Sequence, residues 1–477
     1  MSGAVHSVRD ESRTHPLCVD LDGTLISTDL LWESLVSAAR AHPWIVVAAP
    51  VWMTFGRGYL KDRLARLASI DFATLPYRPE VLRFVTAAKD EGRPVILATA
   101  ADSRLAFGVA THLGIFAEVL SSTSACNLKG AVKAGALESR FGAGHFDYLG
   151  DSRADIACWR LAHDAISAGV MPTREVPHLR RIGADHRTPR MRATAVLRAL
   201  RPHQWLKNLL IVVPAVAGHR LEWPVGLALA VAFTCLSLCA SGGYILNDLL
   251  DLSADRLHTR KRHRPFASGL LPVPTGLALI AACWAAGFGI AAPLLPPAFA
   301  MVLAIYLMAT IAYSLQLKTV AVLDVMFLAG LYVLRVIAGG LAISLTPSTW
   351  LLTFTLFVCL SLALLKRYIE TSRSSSVVPG RGYVPQDAGW LQTAGIASAY
   401  LSVLVLAIYV NSDDVSALYS RPERLLLVCP ILLYWATKVW FDAHRGHTHD
   451  DPLVAVATDK TTYILAALTA AIVTSAS

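Results

Sequence analysis

Residues 247–269, NDLLDLSADRLHTRKRHRPFASG, place three aspartates ahead of five lysine and arginine side chains, directly after a long apolar stretch. On a helix, Asp248, Asp251 and Asp255 would share one face, because they lie three and four residues apart. Carboxylates packed in this way repel one another, and oxygen ligands of this kind suit Mg²⁺. The spacing therefore predicts a magnesium site that favours the oxygens of a diphosphate.

The cationic side chains that follow these aspartates can hold the remaining charges of an anionic substrate. They are Arg256, Arg260, Lys261, Arg262 and Arg264. A simpler interpretation is a solvated helix end, followed by the positive charge that membrane proteins keep on their cytoplasmic side. That interpretation accounts for the arginines, but it does not account for three aspartates on one helix face.

A second group of carboxylates lies in LCVDLDGTLI, residues 17–26, where a short apolar run ends in two aspartates. In an extended strand Asp20 and Asp22 point the same way, at the carboxyl end where open α/β sheets place ligands. Two acids in this position can act as a nucleophile and a proton donor, or they can bind a metal ion.

Three further segments continue this pattern. PVILATA reads as a strand that carries Thr99, NLKGAVKAGALESRFG carries Lys133 at a helix start, and FDYLGDSRADIACW is a strand that opens onto Asp151 and Asp155. Together and in this order, the four segments resemble the motifs of the haloacid dehalogenase superfamily of phosphatases, over residues 16–165. The resemblance implies a Rossmann-like α/β domain with a small helical cap.

The resemblance also implies catalytic roles. Asp20 would attack phosphorus to give an aspartyl-phosphate, and Asp22 would protonate the leaving oxygen and later activate water. Thr99 and Lys133 would hold the phosphoryl oxygens. Lys129 competes for the lysine role, but we favour Lys133 because the AGAL sequence after it reads as a helix that packs on the sheet.

The same resemblance implies a Mg²⁺ site formed by Asp20 and Asp151, with Asp155 supporting the ligands. The electrostatic reason holds without the family, since a phosphoryl group in transfer needs a metal ion and a cation to offset its charge. The alternative is a domain that has lost its activity and is kept for structure or regulation.

The composition places much of the chain in a membrane. Of its 477 residues, 55% are hydrophobic and only 16% are charged, which excludes an ordinary soluble enzyme. We predict an N-terminal α/β domain over residues 1–170, a basic linker over 171–202, and an all-α polytopic membrane domain of about nine transmembrane helices over 203–477. The N-terminus shows no signal peptide, and loop charges agree with a cytosolic α/β domain and a cytoplasmic (inner) membrane location.

Two segments of the N-terminal half raise the question of membrane contact. The predicted cap, residues 29–80, contains WIVVAAPVWMTF at 44–55, which is too short to span a bilayer, since a span needs roughly 20 residues. It forms either a membrane-leaning surface or an apolar cap core. The linker suits anionic lipid head groups, and no nucleic-acid partner is expected, because aromatic side chains do not accompany its charge.

The apolar half carries a second resemblance. Asn247, Asp248, Asp251 and Asp255 complete the NDxxDxxxD motif, and residues 197–477 resemble the UbiA superfamily of intramembrane prenyltransferases. Three stretches, LRPHQWLKNLLIVVP, DRLHTRKRHRPFASG and YSLQLKTVAVLDVMFLAGLYVLRVIAGG, resemble the branch of decaprenyl-phosphate phosphoribosyltransferases. That branch joins polyprenyl phosphate to the ribose of phosphoribosyl diphosphate, so the lipid is the acceptor.

One departure from the superfamily favours this branch. Where the aromatic prenyltransferases carry a second aspartate-rich motif, this chain reads LLKRYIETSR, so Lys366 and Arg367 suit an additional phosphate. Other polar candidates for substrate binding are Lys207, Asn247, Tyr313 and Lys318. Arg335 either lines the site or forms a structural ion pair with Asp324.

The two resemblances imply a bifunctional enzyme. The membrane domain would transfer 5-phosphoribose to polyprenyl phosphate with release of diphosphate, and the α/β domain would then remove the 5-phosphate. One alternative is a prenyltransferase that moves a prenyl group from prenyl diphosphate to an aromatic or other acceptor, beside a separate phosphatase. Another is a membrane-tethered phosphatase whose helices serve as a scaffold or lipid transporter.

Overall fold

The computed structural model describes residues 15–123, 126–169, 175–183, 189–373, 381–412, 415, 419–447 and 459–476. The chain forms two compact units. The first comprises Met1–Ala199 and Asp248–Ala278, and the second comprises Leu200–Asn247 and Leu279–Ser477. The segment that bears the three aspartates therefore belongs to the same unit as the N-terminal residues. The predicted domain boundaries did not assign residues 248–278 to the first unit. The role of residues 171–202 as a surface linker stays a prediction.

The first unit is built on a parallel sheet with the strand order β3-β2-β1-β4-β5-β6. Its strands are β1 (Leu17–Val19), β2 (Val95–Asp102), β3 (Glu118–Ser122), β4 (Asp147–Gly150), β5 (Ala165–Ser167) and β6 (Arg180–Arg181). In the central ladder Cys18 pairs with both Ile96 and Tyr148. Because every pairing is parallel, all strands end at one edge of the sheet. The predicted α/β class is confirmed.

Eight α-helices of the described residues lie between and after these strands in the sequence. They are α1 (Leu30–Ala41), α2 (Ile45–Thr54), α3 (Arg57–Leu67), α4 (Pro79–Asp90), α5 (Ser103–Leu113), α6 (Ala131–Phe141), α7 (Ile156–Leu161) and α8 (Pro189–Leu200). Side chains alternate along β1, so that Leu17 and Val19 enter one core cluster and Cys18 enters another. A strand that is buried on both faces reads as a continuous apolar run, as LCV does.

The second unit is helical over its described residues. The remaining α-helices whose bounds the described residues give are α9 (Val213–Ala217), α10 (Trp223–Leu250), α11 (Leu252–Leu257), α12 (Val273–Leu294), α13 (Pro297–Leu315), α14 (Leu323–Ala342), α15 (Thr349–Ser372), α16 (Ala388–Val410), α17 (Val428–His444) and α18 (Lys460–Ala476). α11 falls in the first unit. Among the described residues, 7 helical segments are long and apolar enough to cross a membrane, so the protein is a multi-pass membrane protein.

The first predicted span takes another form. Pro202–Val212 is a 3-10 helix, and the α-helix that follows it, α9, has only 5 residues. Pro214 lies in the first turn of α9, where its missing N–H is tolerated. At the other end of the unit the last predicted span is the helix α18, whose 17 residues lie at the short end of the range for a membrane span. The predicted all-α membrane domain is confirmed, and the structure gives its first span a different form.

Candidate active sites

The sheet edge of the first unit brings the predicted nucleophile and lysine together. Asp20 follows β1, and Lys133 lies in the first turn of α6. Lys133 Nζ donates to Asp20 Oδ1 at 2.7 Å, and both side chains are buried. Thr99, in β2, is also buried and accepts a hydrogen bond from the Ala101 N–H. Lys129, the competing lysine, is exposed.

Burial changes the proton affinity of these groups. It raises the pKa of Asp20 to about 7, against the opposing charge of Lys133. It also raises the pKa of Asp22 well above the ordinary range, with Asp29 adding to the effect. Asp22 Oδ1 accepts from Leu30 N at 2.8 Å, at the start of α1. A protonated carboxyl group beside a nucleophilic carboxylate is suited to general acid–base catalysis.

Tyr148 connects the lysine to the third acidic group. Lys133 Nζ donates to the Tyr148 hydroxyl at 2.9 Å, and that hydroxyl donates to Asp155 Oδ1 at 2.8 Å. The second carboxylate oxygen, Asp155 Oδ2, accepts from the backbone N–H groups of Asp151 and Ser152. The sequence offered no signal for Tyr148, because an aromatic residue in an apolar strand reads as core.

A cluster of three carboxylates provides the oxygen ligands that Mg²⁺ prefers. One oxygen from each of Asp20, Asp151 and Asp155 lies within 4.8 Å of the others. Gly23 allows this approach, since its φ of +79° and a distance of 2.4 Å from an added Cβ to Asp151 Oδ2 exclude a side chain. The residues therefore fit a magnesium ion.

The cap adds a cation that the sequence analysis missed. Lys61, on α3, donates to the Ala100 carbonyl at 2.5 Å and to Asn127 Oδ1 at 3.0 Å. It lines a small cavity together with Asp22 and Ser34, and the buried Ser34 hydroxyl has no hydrogen-bond partner among the described residues. Lys61 lies in a helix without a recognisable motif, so only the fold could identify it.

The aspartates of residues 248–257 divide between two cations. Arg264 Nη1 donates to Asp248 Oδ1 at 3.0 Å and to Asp255 Oδ2 at 2.6 Å. Asp251 instead lies 3.7 Å from Arg40 Nη1. Two of the three carboxylates thus face one positive charge, in the arrangement that a divalent cation would also need. The pair fits Mg²⁺ by its donors.

Arg256, predicted to bind substrate, contacts a carboxylate of the N-terminal half. Its guanidinium donates to both oxygens of Glu33, at 2.6 and 3.2 Å, and both side chains are less than one tenth exposed. Lys261 and Arg262 are exposed. The structure therefore gives Arg256 a buried carboxylate partner and places Lys261 and Arg262 at the surface, while Arg264 contacts Asp248 and Asp255.

In the second unit, two predicted substrate ligands contact each other. Lys318 Nζ donates to Asn247 Oδ1 at 3.0 Å, and Lys318 is buried. Lys207, Tyr313 and Lys366 are half-buried. Their roles in substrate binding stay predictions.

Arg367 forms the ion pair that was considered for Arg335. Arg367 Nε donates to Asp324 Oδ2 at 2.5 Å, and both side chains are buried. Tyr383 donates to the other oxygen of Asp324 at 2.6 Å. The alternative in which Arg335 pairs with Asp324 is wrong, because both residues lie on α14, about 16 Å apart along its axis.

Arg335 has neutral partners. It donates to Asn208 Oδ1 at 2.9 Å, to the Tyr306 hydroxyl at 2.9 Å and to the carbonyl of Leu331. Its guanidinium also lies 5.1 Å from the ring centroid of Tyr332. A buried arginine surrounded by hydrogen-bond acceptors and aromatic rings is stabilised without a carboxylate.

Replacing Arg367 with alanine tests whether this residue supports the fold. We expect a loss of about 3–5 kcal/mol in the free energy of unfolding, because the change leaves Asp324 charged and buried. Lys366→Ala, at the neighbouring half-buried position, serves as the control, and we expect a loss of about 1 kcal/mol. Denaturant unfolding in detergent micelles measures both, and equal losses would contradict the structural role of Arg367.

The described residues thus comprise a parallel α/β domain with a carboxylate cluster at its sheet edge, and 7 helical segments long and apolar enough to cross a membrane. Residues 209–441 match the model of the UbiA prenyltransferase family and form a UbiA family domain.

Two curated relatives show how the similarity is distributed. The uncharacterized protein y4nM of Sinorhizobium fredii is 37% identical over 469 residues, which cover 96% of this chain and 90% of the relative. The decaprenyl-phosphate phosphoribosyltransferase of Mycobacterium tuberculosis is 35% identical over 188 residues, which cover 37% of this chain and 59% of that enzyme. The first similarity thus includes both halves of the chain, and the second includes a part of it.

Solved structures also match each half. A UbiA homologue from Archaeoglobus fulgidus bound to DMAPP and Mg²⁺ has a TM-score of 0.47 at 16% identity, covering 58% of this chain and 99% of that one. A substrate-bound phosphoserine phosphatase has a TM-score of 0.25 at 14% identity, covering 32% of this chain and 85% of that one.

Proposed function

We propose that the membrane domain transfers 5-phosphoribose from phosphoribosyl diphosphate to a polyprenyl phosphate, and that the α/β domain then removes the 5-phosphate. One observation carries the proposal: Asp248 and Asp255 are buried and both contact Arg264, in a chain 35% identical over 188 residues to a decaprenyl-phosphate phosphoribosyltransferase. The product would be polyprenyl-phosphoryl ribose, a lipid-linked sugar donor.

The first reaction is a displacement at the anomeric carbon of ribose. The bond from that carbon to the diphosphate oxygen breaks, and its electron pair leaves with the diphosphate. An oxygen of the lipid phosphate forms the new bond. A strong base is not required, because this phosphate is already ionised at neutral pH, so Lys261, Arg262 and Arg264 contribute by orienting anions and offsetting their charge.

The second reaction uses the groups at the sheet edge. Asp20 attacks phosphorus while Asp22 gives its proton to the departing 5-oxygen of ribose, which leaves an aspartyl-phosphate on Asp20. Asp22 then takes a proton from water as the water attacks that phosphate. Lys133 holds the phosphoryl oxygens, and its buried contacts with Asp20 and Tyr148 keep its ammonium in one position.

The donor sets suit magnesium in both reactions. When bound by Asp20, Asp151 and Asp155, or by Asp248 and Asp255 with Asp251, Mg²⁺ would offset negative charge on the phosphoryl and diphosphate oxygens. Arg264 now lies between Asp248 and Asp255, and the diphosphate that accompanies the metal offers this arginine a new partner.

The lipid substrate needs apolar surroundings for its chain. The second unit contains a groove of about 520 Å³ between α13, α14 and α15, and its walls are almost wholly apolar side chains. Met326, Phe327 and Leu356 are among them. We propose that this groove receives part of the polyprenyl chain, with the protein in the cytoplasmic membrane and its α/β domain in the cytosol.

Helix α2 of the cap offers a surface for the same lipid. Only Ile45 and Ala49 are buried in this helix, whereas Val47 is 76% exposed and Phe55, at its C-cap, is 70% exposed. The exposed face supports the membrane-leaning interpretation of residues 44–55 over a cap core. An apolar helix face of this kind gains free energy on entering the interfacial region of a bilayer.

Replacing Val47 with glutamate tests this surface. We expect hydrolysis of a lipid-linked 5-phosphoribose in nanodiscs to fall at least about tenfold, since a charge on the apolar face opposes its insertion. Hydrolysis of p-nitrophenyl phosphate, which needs no membrane, stays unchanged. Val132→Glu is the matched control, because Val132 is also exposed, at 52%, but lies on α6. Equal losses on both substrates would contradict the lipid contact.

Mass spectrometry of the lipid product tests the whole proposal. The purified protein is incubated with Mg²⁺, phosphoribosyl diphosphate and a polyprenyl phosphate, and the expected product is the ribosyl lipid without its 5-phosphate. If the polyprenyl phosphate is not consumed, the phosphoribosyl assignment fails. Incubation with a prenyl diphosphate and aromatic acceptors then tests the prenyltransferase alternative.

A further inference from the structure

We propose that helix α1 fixes the position of the aspartate-bearing segment, residues 248–257, with Glu33 and Arg256 as positioning residues. The inference rests on the proposed function of that segment, and it gives Arg256 a role other than contact with substrate. It starts from Glu33, whose carboxylate is buried although it lies on the first turn of an amphipathic helix.

The contact between Glu33 and Arg256 leaves each residue little freedom. Arg256 donates to both carboxylate oxygens, and its Nε donates to the Ala267 carbonyl at 3.2 Å. The Thr28 hydroxyl donates to Glu33 Oε1 at 2.7 Å, which orients the carboxylate. A bidentate pair fixes the guanidinium in direction as well as in distance. Arg256 adjoins Asp255, so the position of Arg256 determines where that carboxylate lies.

The opposite end of α1 contacts the start of the same segment. Arg40 Nη1 donates to the carbonyl of Leu250, the last residue of α10, at 3.1 Å and lies 3.7 Å from Asp251. A cation at a helix C-terminus stabilises carbonyl groups that have no partner within the helix. Glu33 and Arg40 are separated by two turns of α1, so one rigid helix contacts the segment at both its ends.

Packing further along the chain supports the same arrangement. Gly269 has a φ of +72°, and a Cβ added there would lie 2.1 Å from Ser27 Oγ. The backbone therefore approaches the residues before α1 too closely for any side chain. Residues 251–269 contact the N-terminal half at three residues, Arg40, Glu33 and Ser27, so their position does not depend on a single ion pair.

If Glu33 and Arg256 act only by positioning the segment, replacing either residue has the same effect. If Arg256 acts only through Glu33, then Glu33→Gln and Arg256→Gln remove the same interaction, and the double variant is no worse than either single variant. If Arg256 instead binds diphosphate, Arg256→Gln raises the KM for phosphoribosyl diphosphate and Glu33→Gln does not. The two roles therefore predict different kinetics.

The experiment uses the full chain in nanodiscs, with two readouts. Hydrogen exchange of the amides in 250–257 is expected to rise at least tenfold in Glu33→Gln and in Arg256→Gln. The Mg²⁺ concentration for half-maximal ribosyl transfer is expected to rise about tenfold, with kcat changed less than twofold. Glu33→Arg combined with Arg256→Glu restores both values at least in part, because the pair is formed again with its charges exchanged.

Three controls make the outcome decisive. Glu118→Gln breaks an exposed pair with Arg140 on the same domain and leaves both readouts unchanged. Thr28→Val removes only the hydrogen bond to Glu33, so it gives a smaller change in the same direction even if Glu33→Gln folds poorly. If the wild type transfers no ribose, the proposed function fails, while hydrogen exchange still tests the positioning. Unchanged exchange in Glu33→Gln, or a loss confined to Arg256→Gln, would overturn the inference.

Discussion

Replacing Asp248 with asparagine is expected to lower ribosyl transfer at least about 100-fold while hydrolysis by the α/β domain continues. The change keeps the shape of a buried side chain and removes the charge that faces Arg264. A neutral amide binds Mg²⁺ more weakly than a carboxylate does, so the departing diphosphate loses part of its stabilisation. The measurement is conversion of polyprenyl phosphate by mass spectrometry, beside hydrolysis of p-nitrophenyl phosphate.

Ser253→Ala provides the matched control for this change. Ser253 is exposed on the short helix α11, which follows the helix that carries Asp248, and its replacement is expected to leave both activities within twofold of the wild type. Full transfer by Asp248→Asn would rule out the aspartate segment as a catalytic metal site, and the membrane-tethered phosphatase would become the better description.

Replacing Asp20 with asparagine is expected to stop removal of the 5-phosphate, with a loss of at least about 1000-fold, because the amide cannot form the acyl phosphate. Transfer in the membrane domain continues, so the 5-phosphoribosyl lipid accumulates in place of the ribosyl lipid. The two lipids differ by one phosphate in mass, and a single spectrum gives the ratio between them.

Asp90→Asn is the control for the Asp20 change, since Asp90 is exposed at the end of α4. It is expected to give the wild-type ratio of the two lipids. If Asp20→Asn also yields the fully dephosphorylated lipid, the α/β domain has another substrate and the sequential scheme is wrong.

The sequence predicted the sheet edge well, because its chemistry depends on local pattern. Each apolar strand ends at a polar motif, and a parallel sheet brings such strand ends together whatever the order of the strands. Asp20, Asp151 and Asp155 could thus be placed near one another from the sequence. Tyr148 could not, since its hydroxyl has a role only once Lys133 and Asp155 lie on either side of it.

Long-range pairing limited prediction elsewhere. The partner of Arg256 lies 223 residues away, and periodicity along the chain contains no information about it. The same holds for the pairing of Arg367 with the buried carboxylate of Asp324, which lies on a different helix. Basic residues near a predicted phosphate site were assigned to substrate, whereas the fold gives three of these arginines, Arg256, Arg264 and Arg367, carboxylate partners within the protein.

The first unit is formed by two separate segments of the sequence, so it cannot fold completely until the second segment has been synthesised. Glu33 leaves the ribosome 223 residues before Arg256 does. At synthesis rates of about 5–20 residues per second, Arg256 is synthesised roughly 10–45 s after Glu33. Within that time α10 must be made and inserted into the bilayer. The N-terminal sheet can form as soon as its strands are available. The first unit is complete only after a membrane helix has been integrated and residues 248–278 have been synthesised.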